Sequence, residues 1–310
     1  MNSNKKFFSR IGFNYLIYAV FSLVITMILA NIIAYTSPEI LNNINTSTTI
    51  TAICNYILPL PVFIYLMGKL DSKKLEIHKI NARTFLKYLC ITFTLMWIGN
   101  IIGVIITTAL SGAIQSDISN PIQDLINSTG IWLNIVLISI IGPVFEEFFF
   151  RKLLIDRTIK YSARTSIVLS AVMFGLFHGN LNQFFYSALI GGFFAYVYIK
   201  TGKITYTILL HMIINLLGSV VSLFLNSSVT NLITGTINPF DLIFVLLYLA
   251  ILIITLIIGL TNLLNYKQAK FNGQKTEISL QKPLKTIFLN LGMFCFIIFF
   301  TIKMVLQVIN

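Results

Sequence analysis

Ten acidic side chains and three histidines are all the carboxylates and imidazoles in this 310-residue chain, and four of them interrupt apolar runs. Glu146 and Glu147 stand side by side in Phe145-Glu-Glu-Phe-Phe-Phe-Arg151. His178 closes Phe174-Gly-Leu-Phe-His178, and His211 opens His211-Met-Ile-Ile-Asn215. A charge in such a run costs about 2.5 to 3.5 kcal/mol at a bilayer centre, so ionisable groups kept there mark a functional cavity. Carboxylates and imidazoles together offer general acid–base chemistry or a metal-ligand set.

The two acids have different expected roles. Glu147 and Arg151 are four apart with the acid first, the favourable order for an ion pair on one helix face, so Glu147 reads either as a structural clamp or as a second functional carboxylate. Glu146 points about 100° away from it and has no helical cation in reach. Gly142-Pro143 stands just before the pair. The proline deprives the Ser139 carbonyl of its partner and should bend the helix next to Glu146.

A count places His178 beside Glu146. If two helices form a hairpin turning near Ser162, Glu146 lies sixteen residues before the turn and His178 sixteen after it. At the α-helical rise both sit roughly 24 Å up the hairpin. His211 is eight residues beyond Lys203, about 12 Å from its own loop, with Asn215 one turn above it. If the charged hairpin base (Arg151, Lys152, Asp156, Arg157, Lys160, Arg164) projects below the bilayer, Glu146, His178, His211 and Asn215 share one layer. They are expected to converge on a cavity in the cytoplasmic half of the membrane, approached from the cytoplasmic side.

The elements that must hold these residues are membrane spans. The chain is 56% hydrophobic and 10% charged, too little polar surface for a soluble domain, which predicts an all-α polytopic bundle. Nine spans are predicted, at 12–36, 49–68, 86–112, 131–155, 164–179, 183–200, 204–225, 240–264 and 285–308. The first is too long for a secretory signal and lacks a cleavage site, so it reads as a retained span. Pro59 and Pro61 predict a kink in the second. Ser119-Asn120-Pro121 reads as a cap and first-turn proline of a short interfacial helix flanked by Asp117 and Asp124, and Asn238-Pro239 starts the eighth span in the same way.

Every second connection is basic: Lys5 to Arg10, Lys69 to Lys87, Arg151 to Arg164, Lys200 and Lys203, and Lys267 to Lys285. The connections 37–48, 113–130, 179–182 and 226–239 hold no Lys or Arg, and of 22 basic residues only Lys303 breaks the pattern. Because cytoplasmic loops carry the positive excess, the N-terminus is expected to be cytoplasmic. The net charge of +12 is then a topology signal and an attraction to anionic lipid at the cytoplasmic face. Nothing supports nucleic-acid binding. His78 reads as a solvated loop histidine, and Cys54, Cys90 and Cys295 as packed small hydrophobes. Three regions follow: scaffold helices over 1–130, a catalytic core over 131–225 and C-terminal helices over 226–310.

At these residues the chain resembles the CAAX-processing and bacteriocin-processing (CPBP, or Abi) family of intramembrane endopeptidases. The family pattern stands here as Glu146-Glu147-x-x-x-Arg151, Phe174-x-x-x-His178 and His211-x-x-x-Asn215, in order, over roughly residues 130–225. The resemblance implies that Glu146 is the general base on a water also held by His178, and that His211 and Asn215 polarise the scissile carbonyl. Glu147, Arg151 and Phe174 would support them. A zinc version, with Glu146, His178 and His211 as ligands, stays open. The substrate implied is a membrane-associated peptide or protein. The Ile, Asn and Lys-rich composition points to a bacterial membrane, and the alternative is a non-proteolytic scaffold or bacteriocin self-immunity protein of the same fold.

Overall fold

A computed structural model describes residues 3–115, 118–236, 238–265 and 277–309; Asp117, Lys267, Lys270 and Lys275 lie outside these. Among the described residues the structure is helical with no strand, and eight helices are long and apolar enough to cross a membrane. In chain order the elements are α1 (Ser3–Thr36), α2 (Ile44–Gly68), α3 (Ala82–Ile114), the short α4 (Pro121–Ser128) and α5 (Ile131–Thr158). Next come α6 (Ala163–Phe177), α7 (Leu181–Thr201), α8 (Ile204–Ile233), α9 (Pro239–Leu264) and α10 (Leu291–Ile309). The chain is an integral, multi-pass membrane protein. The fifth expected span, 164–179, is α6, a helix of 15 residues and shorter than the eight.

Local chemistry sets the helix ends. Ser162 accepts the Thr165 amide at 3.0 Å and starts α6 at the expected turn. Asn180 accepts from Asn182 at the head of α7, and Asn81 from Thr84 at the head of α3. Asn238 caps α9 through Phe240. Asn120 makes no such bond although Pro121 opens α4 as expected; its Oδ1 is buried without a partner.

In lipid, helices gain by close approach and side-chain packing. α6 lies along α7, α7 along α3, α3 along α9, and α1 along α10. At the α1–α10 crossing Gly12 and Gly292 bring backbone against backbone, and a side-chain carbon at either would collide with the other helix. The core around α5 is aromatic: Tyr15 stacks edge-on to Phe63 at 4.8 Å, and Phe63 to Phe149 at 5.2 Å. Tyr15 donates to the Phe149 carbonyl at 2.7 Å. The N-terminal helices are thus packed directly on the central ones.

Backbone and side-chain bonds join the connections into two layers. At the basic end Lys73 N–H donates to the Asp156 carbonyl at 2.6 Å, His78 N–H to Thr201 at 2.8 Å, and Glu277 and Ile278 N–H to Lys160 at 2.9 and 3.0 Å. At the opposite end Asn45 accepts from Gly130 N–H at 2.8 Å, while the Ser119 carbonyl takes Asn182 at 3.1 Å and Gln307 at 2.9 Å.

The charges at the base of the α5–α6 hairpin are mostly enclosed by protein. Arg151, Asp156 and Arg157 are all buried. Arg157 donates to the Met67 and Leu153 carbonyls, and Asp156 accepts from Tyr198 at 2.8 Å and pairs with Lys152 at 2.7 Å. Internal partners replace the water these charges would otherwise seek.

α5 is not uniform. Its stretches Asn134–Ile141 and Phe148–Leu153 are π-helical, with amides reaching five residues back, and they flank an α-helical Gly142–Glu147. Such wide turns recur at functional sites. They also move the effect of Pro143. With the Gly142 amide on the Leu137 carbonyl, the acceptor left by the missing proline N–H is Ile138 rather than the expected Ser139.

Candidate active site

Arg151 reaches Glu147 through two nitrogens, Nη2 to Oε1 at 3.1 Å and Nε to Oε2 at 3.0 Å. Its third nitrogen, Nη1, donates to Ser170 Oγ at 2.9 Å, and the guanidinium lies 4.9 Å from the Phe174 ring centre. Both members of the pair are fully buried. The clamp reading of Glu147 therefore fits the geometry: a two-point carboxylate–guanidinium contact fixes orientation as well as charge.

Glu147 does more than neutralise Arg151. Its Oε1 lies 3.0 Å from His211 Nδ1, so the ionised carboxylate accepts the Nδ1 proton and sets the ring's orientation. The other nitrogen, Nε2, faces Glu146 Oε2 at 3.6 Å. Arg151, Glu147, His211 and Glu146 thus form one line of alternating charge and imidazole between α5 and α8.

Glu146 is the open end of that line. Its side chain keeps 16% exposure where Glu147 keeps none, and the exposed part faces a cavity. On its far side Tyr56 from α2 donates to Oε1 at 3.1 Å, its ring stacked on Phe145. The carbonyl of Asn55, the residue before Tyr56, accepts from the Tyr18 hydroxyl.

His178, just past the end of α6, lines the same cavity. Its Nδ1 lies 2.8 Å from the Phe174 carbonyl, which leaves Nε2 as the free nitrogen. No hydrogen bond joins it to Glu146. Phe174 sits between the two imidazoles, edge-on to His178 at 4.9 Å and to His211 at 5.8 Å. Gly191 on α7 makes room for that ring, since a side-chain carbon there would stand 2.6 Å from it. Asn215 also lines the cavity, but one of its amide hydrogens goes to the Ile138 carbonyl at 2.9 Å, the acceptor that Pro143 leaves vacant.

The cavity has a volume of about 660 Å³. Glu146, His178, His211 and Asn215, named from the sequence, all border it, while Glu147 and Arg151 stand behind its wall. It extends from Glu146 toward Thr48, Asn120 and Gln123, residues of the end without basic connections. His211 is seven residues past Ile204 and Glu146 twelve before Thr158, and from these two the cavity lining extends away from the basic end.

A zinc set of Glu146, His178 and His211 does not fit this arrangement. Among the described residues no three His, Cys, Asp or Glu side chains come together closely enough to hold a metal ion. Each histidine does have Nδ1 anchored and Nε2 turned to the cavity, the posture of a ligand. The third donor, Glu146, is held by Tyr56 and His211 instead.

Sequence reasoning missed Tyr56 and the Ile138 carbonyl. Tyr56 is one of 13 tyrosines, and its place opposite Glu146 depends on packing across 90 residues. Lys303, noticed only as an exception to the charge pattern, lines the cavity with His178.

Comparison with known proteins gives a match over the same segment. Residues 128–217 match the Rce1-like family model, described as type II CAAX prenyl endopeptidase Rce1-like. A curated Bacillus subtilis (strain 168) protein named "Putative membrane peptidase YdiL" is 31% identical over 105 residues. That region is 33% of this chain and 41% of the relative, so the chain spans well under two thirds of it. No solved structure matches. The resemblance to the CAAX-protease and bacteriocin-processing family is borne out over the central helices.

Proposed function

We propose that the chain is an intramembrane endopeptidase that hydrolyses a peptide bond of a membrane-associated peptide or protein. The observation that carries this reading is the contrast between the adjacent acids. Glu146 opens to the cavity and faces His211, while Glu147 is closed off by Arg151 and serves to orient that histidine.

In this reading a water stands between Glu146 and the free Nε2 of His178. Glu146 takes a proton from the water as its oxygen attacks the scissile carbonyl, and returns that proton to the leaving amine as the C–N bond breaks. Negative charge gathers on the former carbonyl oxygen. His211, when protonated at both nitrogens, donates to Glu147 with one and to that oxygen with the other, and the second Asn215 N–H adds a donor. Each such donor is worth about 3 kcal/mol in a preorganised site.

The test is cleavage of membrane peptides by the purified chain in liposomes, comparing wild type with Glu146→Gln, His178→Ala and His211→Ala. All three variants should insert and fail to cleave. Normal cleavage by the Glu146 variant would sink the reading. A second reading, a non-proteolytic scaffold or immunity protein, draws on one observation: Asn215 already spends a hydrogen on Ile138. It requires the biological phenotype to survive in all three variants.

A further inference from the structure

The direction in which the cavity extends and the distribution of basic residues together give an access route. We infer that the site is reached from the non-cytoplasmic face of the membrane and that its substrate is a peptide segment presented there. The inference deepens the endopeptidase reading by naming where the substrate comes from; the access route itself stands or falls independently of catalysis.

The cavity lining runs to the end without basic connections and stops short of the other, where Tyr18 on α1, Met96 on α3 and His211 on α8 are its nearest members. On α2 it takes Thr48, Thr51 and Tyr56 but nothing from the later half of the helix, and on α5 it takes Leu137 to Glu146 but nothing beyond. On α7 it uses Gln183, Tyr186 and Ile190, the first half. α4 contributes Ile122 and Gln123 at the mouth. Each of these is the half of its helix nearer the connections that lack Lys and Arg.

Below the catalytic layer the protein is solid. Phe149, Phe150 and Leu154 on α5, Tyr15 on α1, and Phe63 and Met67 on α2 are all at most 1% exposed. Arg157 laces this floor to α2 through the Met67 carbonyl at 2.7 Å. Beyond it, Lys73 bonds the Asp156 carbonyl and Glu277 bonds that of Lys160, so the basic connections lie across the helix ends. None of the residues that line the described cavity belongs to those connections.

The floor and its covering connections carry the positive excess: Lys69, Lys73, Lys74, Lys79, Arg83 and Lys160 among them. Cytoplasmic loops hold such excess in short connections. The sealed end is therefore cytoplasmic and the open end external. Lys303, the single cation on the open side, lines the vestibule next to His178, and its stem packs on Gly179.

The test uses full-length protein in bacterial membranes with Cys54, Cys90 and Cys295 replaced by alanine. Single cysteines are placed at Gly218→Cys and Thr26→Cys, two cavity positions outside the proposed machinery, and at Lys74→Cys in the basic connection. A side-chain carbon at Gly218 meets no neighbour within 4 Å, so that variant is sterically accommodated. The probe is a membrane-impermeant maleimide. The inference expects Gly218→Cys and Thr26→Cys to react in intact cells, and Lys74→Cys only in inverted vesicles. Labelling of the cavity cysteines from the same side as Lys74→Cys overturns it, and so does their failure to react from either side. Failure here leaves the Glu146 dependence of cleavage untouched, and loss of that dependence leaves the labelling pattern untouched.

Discussion

Glu146 and Glu147 are consecutive residues with opposite surroundings: the first borders the cavity and touches Tyr56 and His211, the second is wholly enclosed by Arg151 and His211. The helical rotation of about 100° between neighbours sends one acid to the water and the other into the wall. Exchanging either carboxylate for its amide separates the two jobs. Glu146→Gln should lose the contribution of a general base, about 10²- to 10⁴-fold in turnover, with the melting temperature little changed. Glu147→Gln should lower the melting temperature as well as turnover. Equal melting losses for the two variants would contradict the assignment.

The Arg151–Glu147 pair invites a stability measurement. Removing one partner of a buried pair leaves an uncompensated charge, at a cost of about 3 to 5 kcal/mol. Arg151→Met should therefore unfold at markedly lower denaturant or temperature in detergent. Adding Glu147→Leu should restore much of the loss, though not the activity. A single Arg151→Met variant as stable as wild type would show that the pair is not the clamp described.

Tyr56 gives a finer probe of Glu146. A hydrogen bond to a charged group contributes about 1.5 to 3 kcal/mol, and each 1.36 kcal/mol of barrier is tenfold in rate. Tyr56→Phe keeps the ring stacked on Phe145 and removes only the donor. A fall in kcat of roughly tenfold or more with unchanged stability is expected; unchanged kcat would place the hydroxyl outside the reaction.

Asn215 and Pro143 are coupled through a carbonyl that neither owns. An unsatisfied buried acceptor costs about 1 to 3 kcal/mol, so Asn215→Leu should destabilise the chain where Pro143 is present. With Pro143→Ala, position 143 regains an N–H for Ile138, and the same leucine substitution should cost less. A double-mutant cycle on melting free energy reads this directly, and strict additivity would deny the link.

Metal dependence has its own check. Because Glu146, His178 and His211 do not converge as a ligand set, the purified protein should carry zinc well below one ion per chain, and turnover should survive a strong chelator. Stoichiometric zinc with chelator-sensitive, zinc-restored turnover would replace the mechanism given for Glu146.

Much of the site was legible in the sequence for a specific reason. An ionisable residue in an apolar run is costly, so few occur, and those that do can be matched by counting helical rise from a turn. Glu146, His178 and His211 border one cavity, as that count expected. The burial of Arg157 and Asp156 was not legible, because their partners, Met67 and Tyr198, lie far away in the chain. The π-helical stretches of α5 were equally hidden. They arise from where amides find acceptors after packing, and they shift the carbonyl freed by Pro143 by one residue.

The aromatic floor beneath Glu146 has a consequence for the cell that houses it. A membrane that stores energy as an ion gradient tolerates no continuous file of water and titratable groups from one face to the other. Glu146, His211, Glu147 and Arg151 make up half of such a file. Below them Tyr15, Phe63, Phe149 and Phe150 leave no exposed polar step. Under the proposed activity, such a floor would let water reach a peptide bond inside the bilayer without a proton path through it.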